Sequence, residues 1–265
     1  MMDILETICI NKRLEVAHQK EALPLSHLEN LLEEFFCSKI SFRQSLLDSD
    51  SGIISEFKRK SPSKGWIHPD AEIESIVQGY ENSGAAAISC LTDEKFFGGS
   101  FEDFKKAKKC IRKIPILRKD FIVDEYQIYQ SKFMGADVIL LIAACLTIDE
   151  VNRFTQIAHN LDMEVLLEIH SEAELVYIQP EIDVIGINNR DLKTFDTQIQ
   201  HTIDLAHRIP EEFVKISESG ISSVETVIQL RKEGFRGFLM GEYFMKTQNP
   251  PMALQEFISS LQVLC

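Results

Sequence analysis

The chain has 265 residues, 28 Lys+Arg against 41 Asp+Glu, a formal net charge of -13 and 45% hydrophobic residues. That composition describes an ordinary globular protein and excludes a disordered or fibrous one. The acidic balance argues against a nucleic-acid partner, which needs a basic face for counterion release. The longest apolar run, the nine residues Val138–Leu146, falls far short of the roughly 20 that cross a bilayer, so no membrane partner is expected.

Residues 1–50 read as a helical extension. Ile4, Leu5 and Ile8 sketch a weak amphipathic helix, and Pro24 breaks it. Ser26 with Glu29 is expected to form a capping box, and Leu28, Leu31, Leu32 and Phe35 supply an apolar stripe. Such a stripe needs a surface to bury against, so this segment is expected to pack on the body of the protein formed by residues 51–265. No Gly/Ser/Pro-rich linker separates the two, which argues for a single domain over 1–265. Asp3 and Glu6, with no uninterrupted apolar stretch, make the N-terminus unlike a secretory signal.

From about residue 53 one grammar repeats: a short apolar run, a polar break, then helical spacing. The runs begin near Gly52 (GIISEFK), Ala85 (AAAISCL), Ile116 (ILRKDF), Asp137 (DVILLIA), Met163 (MEVLLEI), Asp183 (DVIGIN), Phe213 (FVKISES) and Gly237 (GFLMG). Rich in Ile, Leu and Val, they suit strands buried on both faces of a parallel sheet. Between them, Ile73, Ile76, Val77 and Tyr80 follow helical spacing, as do Leu254, Phe257, Ile258 and Leu261. Ser222 with Glu225 is expected to cap the seventh helix, and the basic stretch Phe104–Lys113 to be the solvated face of the second. Eight such units over 51–265 predict an α/β fold, a (β/α)8 TIM barrel with an N-terminal helical extension. A doubly wound sheet shares the grammar, but no GxGxxG follows the first strand and no GxxxxGK[ST] occurs.

Cys9, Cys37, Cys90, Cys110, Cys145 and Cys265 are never closer than twenty residues, so no CxxC or zinc spacing exists. The histidines show no HxH or HExxH. Reduced thiols, a cytoplasmic location and chemistry without metal or cofactor are therefore expected.

Barrels build their sites at the C-terminal ends of the strands. Here those ends carry Glu56, Lys58 and Arg59, then SPSKG at Ser61–Gly65; Arg118, Lys119 and Asp120; Glu168; Asn188, Asn189 and Arg190; Glu218, Ser219 and Gly220; and Gly241 with Glu242. Glu56 and Lys58 are two apart, so alternation points both to one face. Charges aimed into a barrel are costly unless they pair or bind a ligand. Ser219-Gly220 and Gly241-Glu242 occupy the strand ends where many barrels hold phosphate on backbone N–H groups. The residues alone therefore predict a small phosphorylated substrate and Lys/Glu acid–base chemistry.

IISEFKRKSPSKG (Ile53–Gly65) resembles the first-strand signature of the indole-3-glycerol-phosphate synthase family. LTDEKFFGGSF (Leu91–Phe101), LRKDFIVDEYQI (Leu117–Ile128), LLEIH (Leu166–His170), IGINNRDL (Ile185–Leu192) and SESGI (Ser217–Ile221) are similar to the same family in the same order, over essentially the whole chain. The resemblance implies a cofactor-free carboxy-lyase of tryptophan biosynthesis. Such an enzyme converts 1-(2-carboxyphenylamino)-1-deoxyribulose 5-phosphate to indole-3-glycerol phosphate with loss of carbon dioxide and water.

It further implies that Lys119 is the general acid toward the ketone oxygen, and that Glu168 stabilises the cation at the anilino nitrogen or acts as base. Lys58, positioned by Glu56, would hold the carboxylate and assist dehydration, leaving open which lysine serves which half-reaction. Asn188 and Arg190 would orient the anthranilate end, with Glu218 standing behind the reacting groups. Ser61, Gly220, Gly241 and Glu242, with Ser219 beside them, would cradle the phosphate under an SPSKGWIHPD cover. Phe121 and Leu140 would be apolar walls or plain core. Tyr243 stands where many relatives carry a small residue.

Two rivals are a phosphoribosylanthranilate isomerase, whose Cys/Asp pair has no match at the ends of strands one and five, and an inactive barrel serving as a binding subunit. The chain stops after its eighth helix, unlike a fused two-enzyme form, and a monomer or weak homodimer is expected.

Overall fold

The structure is a computed structural model that describes residues 4–33, 39–190, 197 and 199–264. Asp3, Phe35, Cys37, Cys265 and the Asp191–Leu192 end of the IGINNRDL motif lie outside the described residues.

Eight strands form one closed parallel barrel: β1 (Ile53–Phe57), β2 (Ala87–Leu91), β3 (Ile116–Lys119), β4 (Val138–Ile142), β5 (Glu164–Ile169), β6 (Val184–Asn188), β7 (Val214–Glu218) and β8 (Phe235–Met240). β8 pairs with β1 to complete the ring. One set of strand side chains, including Ile54, Leu117, Leu140, Leu166 and Ile216, fills the interior. The alternate set, including Ile53, Ile88, Ile139, Leu167 and Ile185, meets the surrounding helices. Both faces are dry, which is why these strands read as continuous apolar runs.

Three helices precede the barrel: α1 (Ile4–Ala22), α2 (Leu25–Glu33) and α3 (Phe42–Asp48). Phe42 and Leu46 of α3 join the interior cluster, and Ser45 Oγ donates to the carbonyl of Ala86, just before β2. α3 therefore plugs the N-terminal end of the barrel. The other end stays open.

The barrel helices include α4 (Ile73–Asn82), α5 (Glu94–Phe97), α6 (Phe101–Cys110), α7 (Tyr126–Met134), α8 (Ile148–Asn160), α9 (Ile199–Ala206), α10 (Val224–Lys232), α11 (Glu242–Met245) and α12 (Pro250–Leu264). α4 and α12 bury the faces their spacing predicts. The crossover after β5 contains a 3₁₀ segment, Glu172–Tyr177, in place of an α-helix. β8 starts two residues before the expected Gly237, because its pairing with β7 is irregular and the exposed Arg236 breaks the apolar run.

Helix starts depart from expectation. The Pro24 carbonyl accepts from His27 and Leu28, so α2 opens at Leu25 and Ser26 lies inside its first turn, not at a cap. Leu28 is buried, whereas Leu31 is exposed. The cap of α10 is Ser223, whose hydroxyl accepts from Thr226 N–H, one residue after the expected Ser222. The capping box that does form is Thr147 with Glu150 on α8. A serine one step off register carries the same sequence signature, so spacing alone does not choose between neighbours.

Candidate active site

The open end surrounds a cavity of about 790 Å³, within the usual range for small-molecule sites. Its lining contains Glu56, Lys58, Lys119, Phe121, Leu140, Glu168, Asn188, Arg190, Glu218, Ser219, Gly220, Gly241, Glu242 and Tyr243. Strand register accounts for the convergence: Glu168 stands beside Ile142 at the end of β4, and Asn188 beside Glu218.

Lys119, the last residue of β3, is the hub. Its Nζ lies 2.8 Å from Glu168 Oε2 and 2.7 Å from Glu218 Oε2. Burial alone would pull its pKa down, but Glu168, then Glu218 and Glu56, raise it well above the usual lysine value. Glu168 is squeezed from two sides. Burial would raise its pKa, yet Lys119 and then His170 hold it well below the usual carboxylate range. His170 Nε2 lies 3.2 Å from Glu168 Oε1, which also accepts from Asn188 Nδ2 at 3.1 Å.

Glu218 differs. Burial raises it, Lys119 opposes, Glu168 raises it further, and the result is a carboxyl pushed up to about 7. It touches Lys119 directly and also lines the cavity, and its Oε1 has no hydrogen-bond partner among the described residues. On the other side of the mouth, Lys58 Nζ pairs with Glu56 Oε1 at 2.9 Å.

The two glycine-bearing strand ends have distinct reasons to be glycine. Ser219 and Gly220 both have positive φ, +68° and +72°, and a Cβ on Gly220 would lie 2.9 Å from the Thr197 Cβ. Asn189 fixes this turn by donating to the Ser219 carbonyl at 2.6 Å and Ser217 Oγ at 3.0 Å. A Cβ on Gly241 would lie 2.6 Å from Glu56 Oε1. Glu242 follows as the first residue of α11.

Ser61 is placed differently from the other sequence-predicted residues. It is buried, outside the cavity lining, and its hydroxyl accepts from Lys64 N–H at 3.2 Å. This bond lies within a two-residue hairpin (Lys60–Ser61 with Gly65–Trp66), whose turn presents Pro62, Ser63 and Lys64 to the cavity. Arg190 Nη1 reaches Ser63 Oγ at 3.5 Å, and its Nε has no partner among the described residues. Phe121 packs against Phe97 with centroids 5.9 Å apart, forming with Leu140, Ile142, Leu5 and Ile8 an apolar wall.

Sequence reasoning missed His170, Lys246 and the contribution of α1, and it placed Asn189 at the strand end without a role. His170 lies inside the LLEIH motif two residues after Glu168, so alternation could have flagged it. Lys246 lines the cavity just after α11. The α1 residues Ile4, Leu5 and Ile8 reach the mouth only because the extension folds back over it.

The family model described as indole-3-glycerol phosphate synthase matches residues 5–257. Curated relatives carrying the same name include one from Bacteroides thetaiotaomicron, 52% identical over 99% of this chain and 100% of its own length. Others come from Delftia acidovorans, at 40% over 98% of this chain and 100% of the relative, and Caldanaerobacter subterraneus subsp. tengcongensis, at 42% over 98% and 99%. Among solved structures, a 3-hexulose-6-phosphate synthase from Salmonella typhimurium aligns with TM-score 0.64 at 12% identity, covering 80% of this chain and 99% of that one. A mutant tryptophan synthase alpha-subunit from Pyrococcus furiosus aligns with TM-score 0.61 at 16% identity, covering 81% and 99%. At these identities the two structures share the barrel fold alone.

Proposed function

The chain belongs to the indole-3-glycerol phosphate synthase family, and from that premise we propose how its residues divide the ring closure, decarboxylation and dehydration. The observation that carries the reading is Lys119 held between Glu168 and Glu218, at 2.8 and 2.7 Å, beneath an open cavity.

The flanking carboxylates keep the Lys119 ammonium charged in a buried place. Its proton is therefore available where the ketone oxygen becomes an alkoxide, a far stronger base than the ketone. Glu168, kept ionised from both sides, supplies a fixed negative charge near the nitrogen where positive charge develops. Glu218, titrating near neutrality, is suited to accept and return a proton during dehydration. Lys58, held by Glu56, and Arg190, whose Nε has no partner among the described residues, meet the substrate carboxylate; a guanidinium fork suits that planar anion. The aromatic ring lies on the Phe121–Leu140 wall.

The phosphate end is assigned to the Ser219-Gly220 and Gly241-Glu242 backbone N–H groups. Ser61 acts there only indirectly, by shaping the hairpin turn that carries Ser63 and Lys64. Lys64 and Lys246 add charge at the rim.

A phosphorylated substrate stays within the compartment that makes it, which supports a cytoplasmic location. Large exposed apolar side chains are spread over α1 (Ile10, Leu14), the hairpin (Trp66) and α12 (Met252, Val263), supporting a monomer or weak homodimer. The direct test is indole fluorescence from the carboxyphenylamino substrate. Absence of product with the purified chain overturns the reading.

A further inference from the structure

We propose that Cys9 and Cys145 are a redox-sensitive thiol pair, which a small disulfide oxidant converts to a disulfide stapling the helical extension to the rim of the barrel. The two residues are 136 positions apart, yet the Cys9 thiol donates to Cys145 Sγ at 2.9 Å. Cys9 follows Ile8, a cavity residue of α1. Cys145 closes the 3₁₀ turn Ala143–Cys145 after β4, whose Ile142 also faces the cavity. The backbones of α1 and this turn approach within 8 Å. An S–S bond is about 2.05 Å long, so the sulfurs need to close by roughly 1 Å.

The surroundings make the pair selective. Both thiols are half-buried, open to a small reagent rather than a bulky one. Cys90 is fully buried, and Cys110 sits at the end of α6, so among the described thiols it is Cys9 and Cys145 that face each other. The Cys145 thiol is pushed up by its contact with Cys9, then by burial, with Glu168 adding and Arg13 opposing. Its proton therefore stays on at neutral pH, and the reaction accelerates as pH rises, because the thiolate is the nucleophile.

The chemistry balances with a low-molecular-weight disulfide, RSSR. One protein thiolate attacks RSSR and expels RS⁻, giving a mixed disulfide. The second protein thiolate attacks the protein sulfur of that intermediate, forming the Cys9–Cys145 bond and expelling another RS⁻. The two thiol protons leave with the two RS⁻ groups as 2 RSH; the protein is oxidised by two electrons and RSSR is reduced by two. The bond closes a long loop, which restricts the unfolded chain. It also pins the α1 segment carrying Leu5 and Ile8 over the mouth.

The test treats the full chain with oxidised glutathione at mildly alkaline pH and maps tryptic peptides without reduction. The expected result is a linked Cys9/Cys145 peptide pair two mass units below the sum of its parts. A rise in Tm of several degrees and a longer half-life of activity on heating should accompany it, all reversed by dithiothreitol. Cys9→Ser, at a position outside the cavity lining, should keep reduced-state turnover and is expected to lose every one of these changes; Cys145→Ala provides an independent check. The proposal is overturned if Cys9 and Cys145 emerge only as free thiols or separate glutathione adducts. It is equally overturned if the Tm rise persists in either variant.

Discussion

His170 Nε2 contacts Glu168 Oε1 at 3.2 Å while Lys119 occupies the other oxygen of the same carboxylate. Glu174 Oε2 in turn lies 3.6 Å from His170 Nδ1. The result is an alternating row of charge, Glu174–His170–Glu168–Lys119–Glu218, running from the outside of β5 to β7. Each cation in it is faced by two carboxylates. Such a row resists protonation of its central member, which is the property that the role proposed for Glu168 requires.

His170→Asn should therefore move the acidic limb of the kcat profile to higher pH, because losing one cation lets Glu168 take up its proton sooner. KM should change much less than kcat, since the ring touches no cavity surface of its own. Stability gives a separate readout. Burial lowers the His170 pKa, but Glu168 and Glu174 raise it from 6.5 to about 10. A raised folded pKa contributes stability that is fully present below 6.5 and lost as pH rises toward 10. The Tm deficit of His170→Asn should thus be largest near pH 6 and shrink by pH 10; an equal deficit at both pH values would remove the charge argument.

Lys119→Met should retain the barrel by circular dichroism yet lose roughly 10²–10⁴-fold in kcat, the range for a positioned proton donor. It also leaves Glu168 and Glu218 facing each other without their shared cation. Two close carboxylates cannot both stay ionised, so one should take up a proton near neutral pH. Steady-state kinetics check the first point. A variant keeping more than about half of wild-type kcat would take Lys119 out of the mechanism.

The barrel was legible in the sequence because its strands are buried on both faces and so stand out as apolar runs. The convergence of Glu56, Lys119, Glu168 and Glu218 was legible because strand ends share one rim. What escaped depends on contacts between distant segments. Lys12 reads as a solvated helix residue, yet it is 1% exposed and its Nζ lies 2.9 Å from Asp93 and 3.1 Å from Asp120. No periodicity announces a buried lysine whose two buried partners are more than eighty residues away. The Cys9–Cys145 contact escaped for the same reason, because spacing rules address only cysteines near in sequence.

Lys12→Met is the stability counterpart. Burial lowers the Lys12 pKa, while Asp120, then Asp93 and Glu15, together outweigh it and raise it above the usual lysine value, so the native state holds a charged ammonium. Removing it takes the ammonium away from the buried Asp93 and leaves Asp120 with Arg118, 3.0 Å away; breaking a buried pair in this way typically costs about 3–5 kcal/mol. Asp120 also accepts the Phe121 N–H at 2.8 Å, so the apolar wall should loosen with it. Urea unfolding should report the destabilisation, with a raised KM alongside; a loss below about 1 kcal/mol would mean the cluster is easily rehydrated.

At the proposed phosphate end, Ser219-Gly220 and Gly241-Glu242 line the cavity on adjacent strand ends, where their backbone N–H groups would hold the anion, and Lys64 and Lys246 also line it. Hydrogen bonds to a charged group contribute about 1.5–3 kcal/mol each, so several form a strong handle. None of those four strand-end residues touches the Lys119 ammonium, whose partners are Glu168 and Glu218, and binding energy gained away from the reacting atoms orients the reacting centre. The dephosphorylated substrate should therefore lose kcat as well as affinity, and inorganic phosphate should inhibit competitively at millimolar levels. Gly241→Asp should reproduce both losses for two reasons. It sets an anion against the cradle, and any Cβ at this position falls 2.6 Å from Glu56 Oε1, displacing the carboxylate that holds Lys58. Gly241→Ala separates these causes, since it keeps the steric push and removes the charge: phosphate inhibition should survive in the alanine variant and vanish in the aspartate one. An unchanged kcat/KM for the dephosphorylated substrate would put the anion site elsewhere.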